Sequence, residues 1–388
     1  MKDKILESSK ELEPYIIAMR RDFHKHPEIK FKEKRTSKIV KEELENLGYS
    51  IEPTAETGII ATLEGGCKGK TVALRADMDA LELQEENDVP YKSRIDGKMH
   101  ACGHDAHTAM LLGAAKILSE IKDDIKGTVK LVFQPGEEGG AGAKKIIDEG
   151  KLEDVDAIFG IHIWAYIPSG TIATLPGPVM SSSDHFRITI KGDGGHAAYP
   201  YQTTDPTIPS NAIYDAIQKV ITSNIDPLSP AVIKTPKIKT SDAYNVIPDS
   251  VVMDGTIRTF DLDVREKIIE RIKQISDHYS KAWDCEAEFN LERNHYPPTV
   301  NSDEMTDFAI DIGTKYFEEE EFKKQMGAED FSFYLQEIPG CLLFIGSGNE
   351  EKGTDHPHHH PKFDVDEEQL YKGTALYANL AFEYLKLD

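Results

Sequence analysis

Runs of apolar residues along this chain come in two lengths. Ala109, Met110, Leu111, Leu112, Ala114, Ala115, Ile117 and Leu118 recur at helical spacing, whereas Ile59–Leu63, Lys70–Leu74 and Val129–Phe133, with the stretch VDAIFGIHIW at 155–164, are short enough to be buried strands. Before them, residues 1–49 read as a helix, a loop holding His24, His26 and Pro27, and a second helix from Thr36 to Leu47. Gly65 and Gly66 lie between two strand-like runs and predict a hairpin. Alternating strands and helices of this kind predict an α/β sandwich whose central sheet carries its site at the strand ends.

The texture changes near residue 184. HFRITIKGDGG alternates with period two, a helix is expected over Asn211–Ile221, and two strands follow around NVIPD. A helix over Val264–Trp283 and a strand over Cys285–Leu291 complete the order strand, helix, two strands, helix, strand, which is that of a ferredoxin-like α+β domain. Residues 184–292 therefore read as an insert between residues 1–183 and 293–388. After it come a helix over Asp303–Phe317, the strand CLLFIGSG and a last helix over Glu367–Leu387.

A length of 388 residues is enough for two or three domains. The net charge of -23 repels phosphate backbones, which argues against nucleic acid and against adhesion to anionic membranes. No segment approaches the ~18 consecutive apolar residues of a membrane span. The first twenty residues have no continuous apolar core of a secretory signal, and Cys67, Cys102, Cys285 and Cys341 are too scattered for a disulfide framework, so a reducing, cytoplasmic setting is expected.

Chemistry concentrates in MHACGHDAHTAM, where Cys102, His104, Asp105 and His107 occupy six positions at a helix entrance. Thiolate, imidazole and carboxylate are the side chains that bind divalent transition metals, and four of them in one turn favour a metal site over buried core groups. Asp77 and Asp79 alternate just past a strand, where carboxylates either bind metal or orient a ligand imidazole, the second being the safer reading. Glu137 and Glu138 follow the strand ending at Phe133; one of such a pair can bind metal while the other carries a proton. His162 sits inside an apolar strand, and one histidine of the HPHHH cluster (His356, His358, His359, His360) is expected to complete the site.

The motifs RRDFHKHPE, ALRADMDAL, MHACGHDAH, VFQPGEEGGAGA, GIHIW, GGHAAYP, NVIPD, GTIRTFD, GAEDF and HHPKFD occur in one order across nearly the whole chain. In this the sequence resembles the metal-dependent amidohydrolases that include aminoacylases, hippurate hydrolases and auxin-conjugate hydrolases. The resemblance implies an aminopeptidase-like catalytic domain, with a mixed sheet flanked by helices, and an inserted dimerisation or lid domain. It puts metal ligands at Cys102, His104, Glu138, His162 and His359, the last by its place two residues before a P-x-F tripeptide, and a general base at Glu137. It implies two divalent ions per chain, a catalytic His196 in the insert, and a substrate carboxylate held by Arg258 with Asn245 nearby. Where the wider superfamily has a ligand His in an H-x-D strand end, this chain has Asp77, and a Cys joins the ligands; thiolate favours zinc, whereas imidazole and carboxylate also accept manganese, cobalt or nickel. The expected reaction is hydrolysis of an N-acyl amino acid by a homodimer, with a dipeptidase or carboxypeptidase as the alternative and a non-catalytic metal-binding protein as a more remote one.

Overall fold

Side chains of successive strand residues point to opposite faces, so a strand buried at every position needs cover on both sides. Gly340–Gly348 is such a strand up to Ser347, and so is Ala157–Pro168 up to Ala165. Both lie in the first of two units of this computed structural model, which describes residues 2–291 and 296–387. The first unit runs up to Gly177 and takes in Val300–Lys323 and the chain from Asp330 on; the second is Pro178–Thr299 with Lys324–Glu329. Of the boundaries expected from sequence, the one at 292–293 lies outside the described residues.

The first unit is an α/β structure around a mixed eight-stranded sheet. Its order is Ser50–Thr54, Gly58–Glu64, Lys126–Gln134, Cys67–Asp77, Ala157–Pro168, Gly340–Gly348, Thr171–Ala173, Glu318–Glu319. The four central strands are parallel. Gly58–Glu64 and Cys67–Asp77 do not form the expected hairpin, because Lys126–Gln134 lies between them, antiparallel to one and parallel to the other. The glycines serve close approach instead: a Cβ on Gly65 would meet Ile125 O at 2.3 Å, and one on Gly66 would meet Asp123 O at 2.3 Å. Gly65 N–H also donates to Gly127 O at 2.8 Å, which ties the connection to the intervening strand.

The first expected helix divides into Lys2–Glu11 and Glu13–Lys25, since Pro14 is tolerated only in the first turn of the second. Helix His104–Glu120 is buried almost all round, as its low amphipathicity requires, and packs against Leu370–Tyr384 and Glu13–Lys25. Its buried N-terminus is the platform of the site.

The second unit is a four-stranded antiparallel sheet ordered Ala231–Lys239, Ser250–Thr259, Asp184–Lys191, Glu286–Leu291. Phe186, Ile188 and Ile190 lie buried on one face of Asp184–Lys191 and pack with Ile213, Ile217 and Ile268 from the helices. The single helix expected over Asn211–Ile221 is two, Thr207–Gln218 and Val220–Asn224. Helix Leu262–Lys281 starts at Asp261, whose carboxylate accepts the N–H groups of Asp263 (2.8 Å) and Val264 (3.1 Å). Among the described residues, no helix is long and apolar enough to cross a membrane.

Candidate metal centre

Parallel strands end on a common edge, and here three of the four central strands deliver polar groups to it. Cys67–Asp77 ends in Asp77 with Asp79 beyond it; Lys126–Gln134 leads through Pro135 and Gly136 to Glu137 and Glu138; Ala157–Pro168 carries His162 opposite Phe344 and pairs with Gly340–Gly348 on both sides of it. Between the first two, the backbone of Met99 bonds to that of Leu81, and Gly103 at φ +92° opens helix His104–Glu120. Cys102 and His104 thus flank a left-handed residue at a helix entrance.

Cys102, His104 and His162 offer ligand atoms within 4.8 Å of one another, as do Cys102, Glu138 and His359, and His104, Glu137 and Glu138. Cys102 Sγ is 3.6 Å from His162 Nε2, and His359 Nε2 is 3.0 Å from Glu138 Oε1. His359 adopts φ +63° and its N–H donates to Ala101 O at 2.8 Å, so the C-terminal loop is tied next to Cys102. Its neighbours go elsewhere. His358 Nε2 accepts the Ala165 N–H at 3.2 Å, and the His356 and His360 rings stack on each other with centroids 4.7 Å apart.

The donor set fits a cation. His104 donates from Nδ1 to Asp79 O at 2.8 Å, and His162 from Nδ1 to Ile163 O at 2.5 Å, which leaves both Nε2 atoms as lone-pair donors. His104 Nε2 is buried and has no hydrogen-bond partner among the described residues. Burial and the neighbouring Glu138 push the Cys102 thiol up, while hydrogen bonds to Cys102 and Glu138 lift His359 to about 10. A thiol and a carboxylate that draw a proton onto His359 this strongly form a cluster that a divalent ion stabilises.

The acidic pair is held by its backbone. Asp79 accepts the N–H of Glu137 through Oδ1 (3.0 Å) and the N–H of Glu138 through Oδ2 (2.9 Å). The turn depends on glycine: Gly136 has φ +65°, and a Cβ on Gly142 would lie 1.7 Å from Pro135 O. Glu137 is buried and Glu138 half-buried.

Two members of the dense sequence motif serve other ends. His107 donates from Nδ1 to Asp77 Oδ1 at 2.6 Å and accepts the Ile163 N–H at Nε2 at 2.8 Å, so both ring nitrogens are engaged. Asp105 pairs with Arg20 at 2.9 Å and with His24 Nδ1 at 2.8 Å, and Arg20 also reaches Asp364 at 2.6 Å and Glu367 at 3.1 Å. Burial alone would raise Asp105; Arg20 and His24 hold it well below the usual carboxylate range. Arg20 opens the RRDFHKHPE motif and is a cation within an otherwise apolar helical face, but neither signal shows that it supports the site through Asp105.

His196, Asn245 and Arg258 lie on the second unit. His196 and Val246 pair across a short antiparallel ladder, Asn245 O accepts the Ala197 N–H at 3.1 Å, and both His196 and Asn245 are exposed. His196 Nδ1 accepts the Ala198 N–H at 3.1 Å, which leaves its proton on Nε2. Arg258 is half-buried on Ser250–Thr259, bonds Ser183 Oγ and Ile257 O, and is lowered by burial.

The profile of Peptidase family M20/M25/M40 matches residues 73–383. The chain is 42% identical over 386 residues to thermostable carboxypeptidase 2 of Saccharolobus solfataricus, covering 98% of each. It is 40% identical over 366 residues to N-acetyl-L-cysteine deacetylase of Bacillus subtilis, covering 94% of this chain and 86% of that one. Among solved structures, it is similar to a Bacillus subtilis protein described as a dinuclear metal binding peptidase from the M20 family, with TM-score 0.86, 34% identity and coverage of 98% and 99%.

Proposed function

The chain belongs to peptidase family M20/M25/M40 and is a hydrolytic enzyme, and from that premise we propose that it cleaves the amide bond of N-acyl amino acids. The observation that carries this reading is the approach of Cys102, His104, Glu138, His162 and His359 to one another beside Glu137. These five side chains would hold two divalent ions, of zinc, manganese, cobalt or nickel. Such ions supply Lewis acidity, which polarises a carbonyl and acidifies water.

Glu137 is the general base: its carboxylate takes a proton from the attacking water and returns it to the amide nitrogen as the C–N bond breaks, releasing a carboxylate and a free amine. Asp79 keeps the turn of Glu137 fixed through both successive N–H groups, so the carboxylate need not reorganise between the two transfers. Arg258 binds the carboxylate of the amino-acid moiety, with Asn245 contributing nearby. It forms no ion pair among the described residues although burial disfavours its charge, the condition of a guanidinium that gains most from an anion. His196 donates from Nε2 to the developing oxyanion, and the ferredoxin-like unit that carries it serves as the dimerisation domain, which leaves His196 to act in its own chain's site or in the partner's.

Assaying metal-reconstituted protein against N-acetyl and N-benzoyl amino acids and dipeptides tests the reading. Turnover of acyl amino acids that disappears in Glu137→Gln while metal content holds supports it; an active Glu137→Gln, or no turnover of any acyl amino acid, rejects it. The second reading, a carboxypeptidase, is favoured by the 42% identity to a protein of that name, and preferential turnover of dipeptides would select it. Mixing inactive His196→Ala with inactive Glu137→Gln tests the shared site, since exchanged dimers regain activity only if His196 acts across subunits.

A further inference from the structure

Helix Lys34–Asn46 has Glu33 at its N-cap position, yet Glu33 does not cap it. Glu28 does: its carboxylate accepts the N–H groups of Arg35 at 3.0 Å and Thr36 at 2.8 Å. Glu33 is left fully buried and turned toward the acidic turn. Its Oε1 accepts two backbone N–H groups, Phe31 at 2.9 Å and Gly136 at 3.0 Å, and its Oε2 accepts the Thr57 hydroxyl at 2.6 Å. Gly136 immediately precedes Glu137.

The segment around Glu33 is shaped for this contact. Phe31 holds φ +58°, a left-handed conformation that costs a bulky residue about 1–2 kcal/mol. That bend lays its ring against the glycines of the turn: a Cβ on Gly136 would lie 2.7 Å from Phe31 Cζ, and one on Gly140 would lie 2.8 Å from Phe31 Cε2. Lys145 Nζ sits 3.5 Å from the centroid of the Phe31 ring, and Lys30 Nζ donates to Glu138 O at 3.0 Å. Strain in one loop and glycine in the other are what allow the two backbones to meet.

We propose that Glu33 is a positioning residue for the Glu137–Glu138 turn, fixing its entry by bridging the N–H groups of Phe31 and Gly136, and so setting where both carboxylates lie. Asp79 holds the turn through the N–H groups of Glu137 and Glu138, and Glu33 holds it one residue earlier through Gly136. The inference rests on the reading of Glu138 as a ligand and Glu137 as the base. What matters is the position of an acceptor oxygen. A glutamine can present its amide oxygen to the two N–H groups and its NH2 to the Thr57 hydroxyl, which is free to rotate and accept. An aspartate keeps the charge but is one methylene short.

The test titrates the metal-stripped protein with Co(II), following visible absorption, and measures kcat and KM of the reconstituted enzyme. Glu33→Ala and Glu33→Asp are expected to weaken Co(II) binding about tenfold and to lower kcat at least tenfold with KM within about threefold of the parent. Glu33→Gln is expected to restore both to within about threefold. The inference is overturned if the Ala and Asp variants keep parental Co(II) affinity and kcat, if Glu33→Gln falls as far as they do, or if neither Ala nor Asp folds, which would make Glu33 a folding residue. Glu138→Ala and Glu137→Gln run alongside separate the two readings: unchanged Co(II) affinity in the first, or retained activity in the second, counts against the site assignment and not against Glu33.

Discussion

His107 Nδ1 lies 2.6 Å from Asp77 Oδ1, and the opposite nitrogen of the same ring accepts the N–H of Ile163. With both nitrogens used, His107 has no lone pair for a metal, although it sits three residues from His104 with ring centroids 5.5 Å apart. His107→Ala leaves a buried carboxylate short of a partner and a buried N–H without one, so stability should fall by about 3–5 kcal/mol. Metal per chain at saturation should stay unchanged. Melting curves and elemental analysis check this, and loss of one ion would make His107 a ligand.

Of the five proposed ligands, Cys102 is the one whose removal should discriminate metals. Cys102→Ser replaces a thiolate donor by a neutral hydroxyl and should weaken zinc more than manganese, on the order of a hundredfold for zinc. Chelation should abolish activity and added divalent metal restore it. Full turnover by protein shown to be metal-free would remove the metal assignment.

Glu33 also gives a pH signature. Burial, with Asp79 nearby, raises its carboxyl from 4.5 to about 7. The folded state therefore favours the protonated form, and this stabilisation, complete below pH 4.5, is lost as pH rises through 7. Glu33→Gln does not titrate. Its stability relative to the parent should climb between pH 4.5 and 7, by up to about 3 kcal/mol. Melting temperatures of the pair at several pH values across that window read it, and a constant difference would contradict it.

Arg258→Ala should raise KM about tenfold or more for substrates bearing a free carboxylate, with kcat changed less. Amide analogues of the same substrates are the control. An equal effect on both would dissociate Arg258 from the carboxylate.

Much of this was legible locally. Continuous apolar runs marked the parallel strands because both faces are buried, and period-two alternation marked Asp184–Lys191 because one face is. The hairpin expectation at Gly65 and Gly66 failed because glycines permit either a tight turn or a close backbone approach, and only the neighbouring strand decides which. The break at Pro14 was present in the sequence, but the apolar rhythm continues across it.

Sequence alone determined that thiol, imidazole and carboxylate would gather at a helix entrance and at strand ends, because motif spacing and apolar periodicity are properties of short stretches. The division of labour within that cluster was decided by the tertiary structure. His107 is engaged by a strand residue 56 positions away, Asp105 by an arginine 85 positions away, and the turn before Glu137 by a glutamate 103 positions away. A histidine or carboxylate carries the same chemistry whether it meets a metal, a backbone N–H or a guanidinium. Which of these it meets is set by the partners that packing brings to its buried atoms.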